Sequence, residues 1–144
     1  MTILRNKTIL ITGATGGFGQ EFSTQLYQRG NRLILTDIDE ATLRQHAESL
    51  ESSGSSDQPV TTFCSDLSSP EGAHQLVDEI DKAGVSVDVL INNAGLAVLG
   101  RHDEVPAEAW ERLMQVNLLA PMRLCGLIVP QMVARNAGHI INIS

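Results

Sequence analysis

The sequence predicts an α/β fold: a doubly wound parallel sheet of five strands with helices on both faces. Three observations predict it. Short apolar runs rich in β-branched residues alternate with stretches whose apolar residues recur at helical spacing. Strands that alternate with helices pair in parallel through right-handed crossovers. The strand runs are apolar on both faces, as in sheets covered on both sides. The expected strand order is 3-2-1-4-5, which leaves the last strand at an edge. One domain accommodates the 144 residues, with no internal repeat and no linker between domains.

Thr8 to Thr12 (TILIT) is the first strand, ending at a glycine. Phe18, Phe22 and Leu26 recur every four residues and predict one face of a helix, with Gly30 at its C-cap. Arg32 to Thr36 (RLILT) is the second strand, and Leu43, Ala47 and Leu50 mark the next helix face. The stretch 52–59 (SSGSSDQP) reads as a flexible loop. Val60 to Cys64 is the third strand. Ser69 and Pro70 have the chemistry of an N-cap and a first helical residue. The stripe of that helix is Ala73, Leu76, Val77 and Ile80, closed by Gly84. Val87 to Ile91 (VDVLI) is the fourth strand. A long helical pattern runs from near Pro106 to about Asn136, and His139 to Ile143 is the fifth strand.

Composition narrows the function. The formal charge is −7 and no basic block occurs, which argues against nucleic acid or an anionic membrane surface as a partner. Aromatics are only 3% of residues, so the core must be aliphatic. Cys64 and Cys125 match no metal or redox spacing and read as reduced, packed thiols. His46, His74, His102 and His139 are scattered and read as surface or loop residues, so no metal site is expected. No apolar stretch reads as long enough to cross a bilayer, and no signal-peptide layout is seen. A cytoplasmic setting is the resulting expectation.

Between the first strand and the first helix lies TGATGGFG, Thr12 to Gly19, with four glycines in eight residues. Glycine is costly there unless backbone must approach something closely. At a strand-to-helix turn the free N–H groups and positive dipole end suit phosphate. No Lys follows, so this is not a Walker P-loop. Asp37 follows the second strand, eighteen residues after Gly19. In a dinucleotide fold this acid takes the adenosine ribose hydroxyls, and it repels a 2′-phosphate. The glycine loop carries no Arg or Lys to offset that repulsion, so NAD is favoured over NADP. The alternative for Asp37 is a helix cap, a role Asp39 is also placed to fill. To this point the pattern is Rossmann-like, and a methyltransferase binding S-adenosylmethionine would share it.

The next motifs separate the two. The fourth strand ends in INNAG (Ile91 to Gly95), Asp66-Leu67 follows the third, and the long helix carries WERLMQVNLLAP (Trp110 to Pro121). With T-G-x-x-x-G-x-G at Thr12 to Gly19, the whole chain resembles the short-chain dehydrogenase/reductase family, in its simpler, non-extended branch. The resemblance implies that Gly13, Gly17 and Gly19 line the pyrophosphate, with backbone at Thr15, Gly16 and Phe18 close by. It implies that Asp66 and Leu67 flank the adenine, that Asn93, Ala94 and Gly95 pass under the adenosine ribose, and that Asn92 ties the fourth strand to its neighbours. Asn117 matches the helix Asn of the family's catalytic Asn-Ser-Tyr-Lys set. Pro121, four residues later, has no N–H for the Asn117 carbonyl, which predicts a kink and a freed acceptor. The implied activity is alcohol–carbonyl interconversion on a small molecule, in a dimer or tetramer that pairs partly through the long helix.

The rest of that catalytic set is missing. The one tyrosine, Tyr27, has Asn31 four residues later rather than a lysine, and the only lysines are Lys7 and Lys82. The family's strand-five Ser falls one position beyond Ser144. Ile140, Ile141 and Ile143 would form a bare apolar edge, a site of aggregation. The expectation is therefore an NAD(P)-binding Rossmann domain over residues 1–144, incomplete at its C-terminus and inactive by itself, with a non-catalytic dinucleotide-binding module as the alternative. The loop Leu96 to Val105 follows the fourth strand and is placed to border a substrate cleft.

Overall fold

The computed structural model describes residues 4–144. Its five strands are β1 (Thr8–Thr12), β2 (Arg32–Asp37), β3 (Val60–Cys64), β4 (Val89–Asn92) and β5 (His139–Asn142). They pair in parallel in the order β3-β2-β1-β4-β5, as expected. The helices are α1 (Gly17–Gln28), α2 (Glu40–Ser52), α3 (Pro70–Lys82), α4 (Ala107–Met114) and α5 (Ala120–Ala134). The fourth strand begins two residues later than the sequence predicts, at Val89, although Asp88 still bonds to both flanking strands. Its carboxylate accepts the Thr8 N–H at 3.0 Å and its carbonyl accepts the His139 N–H.

The pleat divides the core into two layers. Leu10, Ile34 and Leu90 face α3 and α5, meeting Leu76, Ile80, Leu124 and Ile128. Ile9, Ile11, Leu33, Leu35 and Ile91 face α1 and α2, meeting Leu26, Tyr27, Leu43 and Leu50. Each fully buried aliphatic side chain contributes roughly 1.5–3 kcal/mol relative to exposure. β5 is an edge strand, with Ile140 and Ile141 half-buried and Ile143 39% exposed.

Helix ends follow their residue chemistry. Ser69 accepts the Gly72 N–H at 3.1 Å with Pro70 in the first turn, and Asp39 accepts the Thr42 N–H at 3.1 Å. Gly30 and Gly84 close α1 and α3 at φ +79° and +66°, the left-handed geometry glycine adopts without cost.

Three sequence expectations need correction. The Phe18–Phe22–Leu26 face is not uniformly inward: Leu26 is buried but Phe18 is 71% exposed, stacked on Phe22. Cys64 is exposed at the end of β3 rather than packed, and Cys125 is half-buried. α4, a π-helical turn over Gln115–Leu119 and α5 run on as one 28-residue helix, long and apolar enough by length and composition to cross a membrane. Polar residues interrupt the pattern, so no single apolar run marks this length in the sequence. The helix buries Ala120, Leu124, Ile128 and Met132 against the sheet and α3, as a core helix does.

The π-helical turn lies where Pro121 predicted a break. The Ala120 N–H bonds the Gln115 carbonyl, five residues back, so the helix widens directly before the proline.

Candidate cofactor site

The carboxyl ends of β1 to β4 converge on one cleft of about 340 Å³. Eleven of the twelve residues expected to bind a dinucleotide line it: Gly13, Thr15, Gly16, Gly17, Phe18, Asp37, Asp66, Leu67, Asn93, Ala94 and Gly95. The twelfth, Gly19, lies behind the loop, one turn into α1, where its role is packing.

The loop's glycines fall into two kinds. Gly13 has φ +64°, and a Cβ there would lie 2.7 Å from Ala94 Cα. A Cβ on Gly19 would collide with the Gly13 carbonyl oxygen and with Ala14 Cα. The fold itself therefore demands glycine at these two positions. A Cβ on Gly16 would only touch the Gly13 oxygen, and one on Gly17 would meet nothing within 4 Å. These two leave open space at the start of α1. The helix begins without a side-chain cap and without an acid in its first turn. Its free N–H groups thus face an open, uncapped concavity that suits phosphate.

Asp37 closes the loop from the side. Its Oδ2 accepts the Thr15 N–H at 2.9 Å and the Thr15 hydroxyl at 2.7 Å, and Oδ1 accepts the Ile38 N–H. Asp39 caps α2, so Asp37 is released from that duty. The β3–α3 turn supplies Asp66, whose carboxyl sits below the usual carboxylate range. Hydrogen bonds from the Ser68 side chain and N–H hold it there, and the Arg112 charge adds to them. Leu67 is buried beside it.

Thr12 fixes the end of β4. Its hydroxyl oxygen accepts the N–H of Asn93 at 3.0 Å and of Ala94 at 2.9 Å, while Asn93 Nδ2 donates to the carbonyls of Thr12 and Gly13. Asn92 ties β4 to β5, donating to Asn142 Oδ1 at 2.8 Å. Asn117 sits in the π-helical turn, and its side-chain amide pairs twice with the Leu96 backbone, at 2.8 and 2.9 Å. It holds the strand-four loop against the long helix.

One sequence expectation changes. His46 is not a surface residue: it is half-buried on α2, with Nε2 2.6 Å from the buried Ser23 hydroxyl on α1. Burial pushes its pKa below the ordinary histidine value. The unfolded chain therefore takes up a proton that the folded chain resists. The stability this residue contributes is whole above its unfolded pKa and is lost as pH falls through that value toward the folded one. Melting temperature should drop as pH falls below the ordinary histidine value, and His46→Gln should flatten that slope. Tyr27 is a core residue, 2% exposed, with its hydroxyl donating to the Ser56 carbonyl.

Comparison with known proteins decides the family. The family model described as short chain dehydrogenase matches residues 7–144. The chain belongs to the short-chain dehydrogenase/reductase family. It is 35% identical to dehydrogenase/reductase SDR family member 7B of Rattus norvegicus over 98% of this chain and 44% of that protein. A metagenomic short-chain oxidoreductase in complex with NADP superimposes at TM-score 0.89 with 32% identity, over 98% of this chain and 63% of the other. L-sorbose reductase from Gluconobacter frateurii, complexed with NADPH and L-sorbose, gives 0.88 and 28%, over 96% and 52%. The chain spans about half the length of several curated relatives it matches, between 44% and 61% for three of them.

The residues present fit a dinucleotide. The cradle at Gly16 and Gly17 is open, the helix start is uncapped, and Asp37 stands at the loop's flank. Leu96, expected at the border of a substrate cleft, lines this one, and the sequence reading missed Ile38, Ser65, Ser68, Arg112 and Val116, which complete the lining. Their neighbours in sequence were the only available signal for all but Arg112 and Val116. Those two reach the cleft from a helix whose apolar repeat says nothing of what lies across from it.

Proposed function

We propose that this cleft binds NAD in preference to NADP, and that these residues form the cofactor half of an enzyme interconverting an alcohol and a carbonyl on a small molecule. The observation that carries the preference is Asp37, a carboxylate at the flank of the phosphate loop with no cation on that loop or at Ile38 to neutralise a 2′-phosphate. Among the described residues, the one cation lining the cleft, Arg112, comes from α4 and acts on Asp66. The relatives named with NADP or NADPH keep that property as their own; Asp37 argues the other way for this chain.

Gly16, Gly17 and the start of α1 would hold the pyrophosphate, Asp37 the adenosine ribose, and Asp66 and Leu67 the adenine. The bound nicotinamide supplies the hydride acceptor or donor. Asn117 is proposed to serve the active site through its backbone carbonyl, since Pro121 offers it no N–H. These 144 residues are proposed inactive by themselves. Their one tyrosine is buried and tied to Ser56, and neither Lys7 nor Lys82 lines the cleft. A dinucleotide-binding role without catalysis is the second reading that this supports. We extend the proposal to a cytoplasmic homo-oligomer that uses the exposed Met114, Leu118 and Met122 of the long helix.

Competition binding tests the reading. NADH should bind, and S-adenosylmethionine should fail to displace it. Tight S-adenosylmethionine binding without NADH binding would overturn it.

A further inference from the structure

Arg112 is the feature of the cleft that the phosphate loop and Asp37 leave unexplained. It stands in the last turn of α4 and lines the same cleft as Asp66, Leu67 and Ser68 of the β3–α3 turn. Val116, one turn further on, lines it too. Residues four apart share a helix face, so Arg112 and Val116 present one wall to the cleft. That wall has a buried apolar base, Val116, and a planar cation at its mouth. Asp66 feels the Arg112 charge, yet among the described residues the guanidinium carries no ion pair. A guanidinium left unpaired beside an acid is free to lie flat on an aromatic ring. The apolar surfaces of Leu67 and Val116 suit the faces of such a ring, and the Asp66 carboxylate suits an amino group on its edge.

We infer that Arg112 belongs to the adenine subsite, its guanidinium packed flat on the purine of the bound dinucleotide beside Asp66. The inference rests on the cofactor reading above. It makes Arg112 a specificity residue for the adenosine end, distinct from the backbone that takes the phosphates.

The test is calorimetric titration of the protein, of Arg112→Ala and of Arg112→Lys with ADP-ribose and with adenosine 5′-monophosphate. Arg112→Ala should bind both ligands about fivefold more weakly. Arg112→Lys should lose nearly as much, because lysine keeps the charge but not the plane. Unchanged affinity in Arg112→Ala would overturn the inference. Full recovery in Arg112→Lys would also overturn it, by reducing the residue to a charge that attracts phosphate. Failure of the unsubstituted protein to bind ADP-ribose would instead sink the cofactor reading, and this inference with it.

Discussion

Asp37→Ala is expected to weaken NADH binding roughly 100-fold, on the order of two charge-assisted hydrogen bonds. The carboxylate sits at the end of β2, already aligned by the N–H of Ile38 and by Thr15. A ribose diol entering the cleft would meet an acceptor fixed in place, with little ordering left to do. The same substitution should leave NADPH binding unchanged or improve it, because a like charge facing the 2′-phosphate is removed. Paired titrations of NADH and NADPH check this. They also separate two roles of Asp37. If its main task were to hold the loop through Thr15, both cofactors would be lost together. If it reads the ribose, only NADH is lost.

The second large effect divides the glycines. Gly13→Ala should cost about 2–5 kcal/mol of folding stability, from left-handed backbone strain and from overpacking against Ala94. Gly19→Ala should cost at least as much, since its Cβ would enter the Gly13 carbonyl. Gly17→Ala should behave in the opposite way. Apart from its chain neighbours and the backbone of its own helix, no protein atom lies within 4 Å of the added methyl, and Gly17 is the first residue of α1. Stability should hold or rise by up to about 1 kcal/mol, while NADH binding falls at least about tenfold if backbone must approach phosphate there. Urea denaturation and NADH titration on the same three variants check both halves. Intact NADH binding in Gly17→Ala would mean that the open space beside it is not a phosphate cradle.

The strands were legible because each is a short run rich in β-branched and apolar residues, and β1 and β3 match their sequence-derived limits residue for residue. The caps at Asp39 and Ser69 and the glycine stops at Gly30 and Gly84 are local chemistry and were legible for the same reason. Phe18 was misjudged because a periodic stripe shows spacing but not the cleft that opens over the first turn of α1. The Ser23–His46 contact joins two helices 23 residues apart in sequence, and nothing local marks it. Pro121 correctly flagged irregularity in the long helix, yet a proline alone does not say that the relief is a π-helical turn. Asn93 was read as ribose backbone, and the structure adds a second task, its side chain bracing β4 against Gly13.

The central claim is that a dinucleotide lies along the carboxyl ends of β1 to β4. Amide chemical shifts of isotope-labelled protein, titrated with NADH, test it most directly. The account predicts that shifts concentrate at 13–19, 37–38, 66–68 and 93–96, with the face of the sheet's opposite edge unmoved. Shifts confined to other surfaces, or none at saturating NADH, would contradict it.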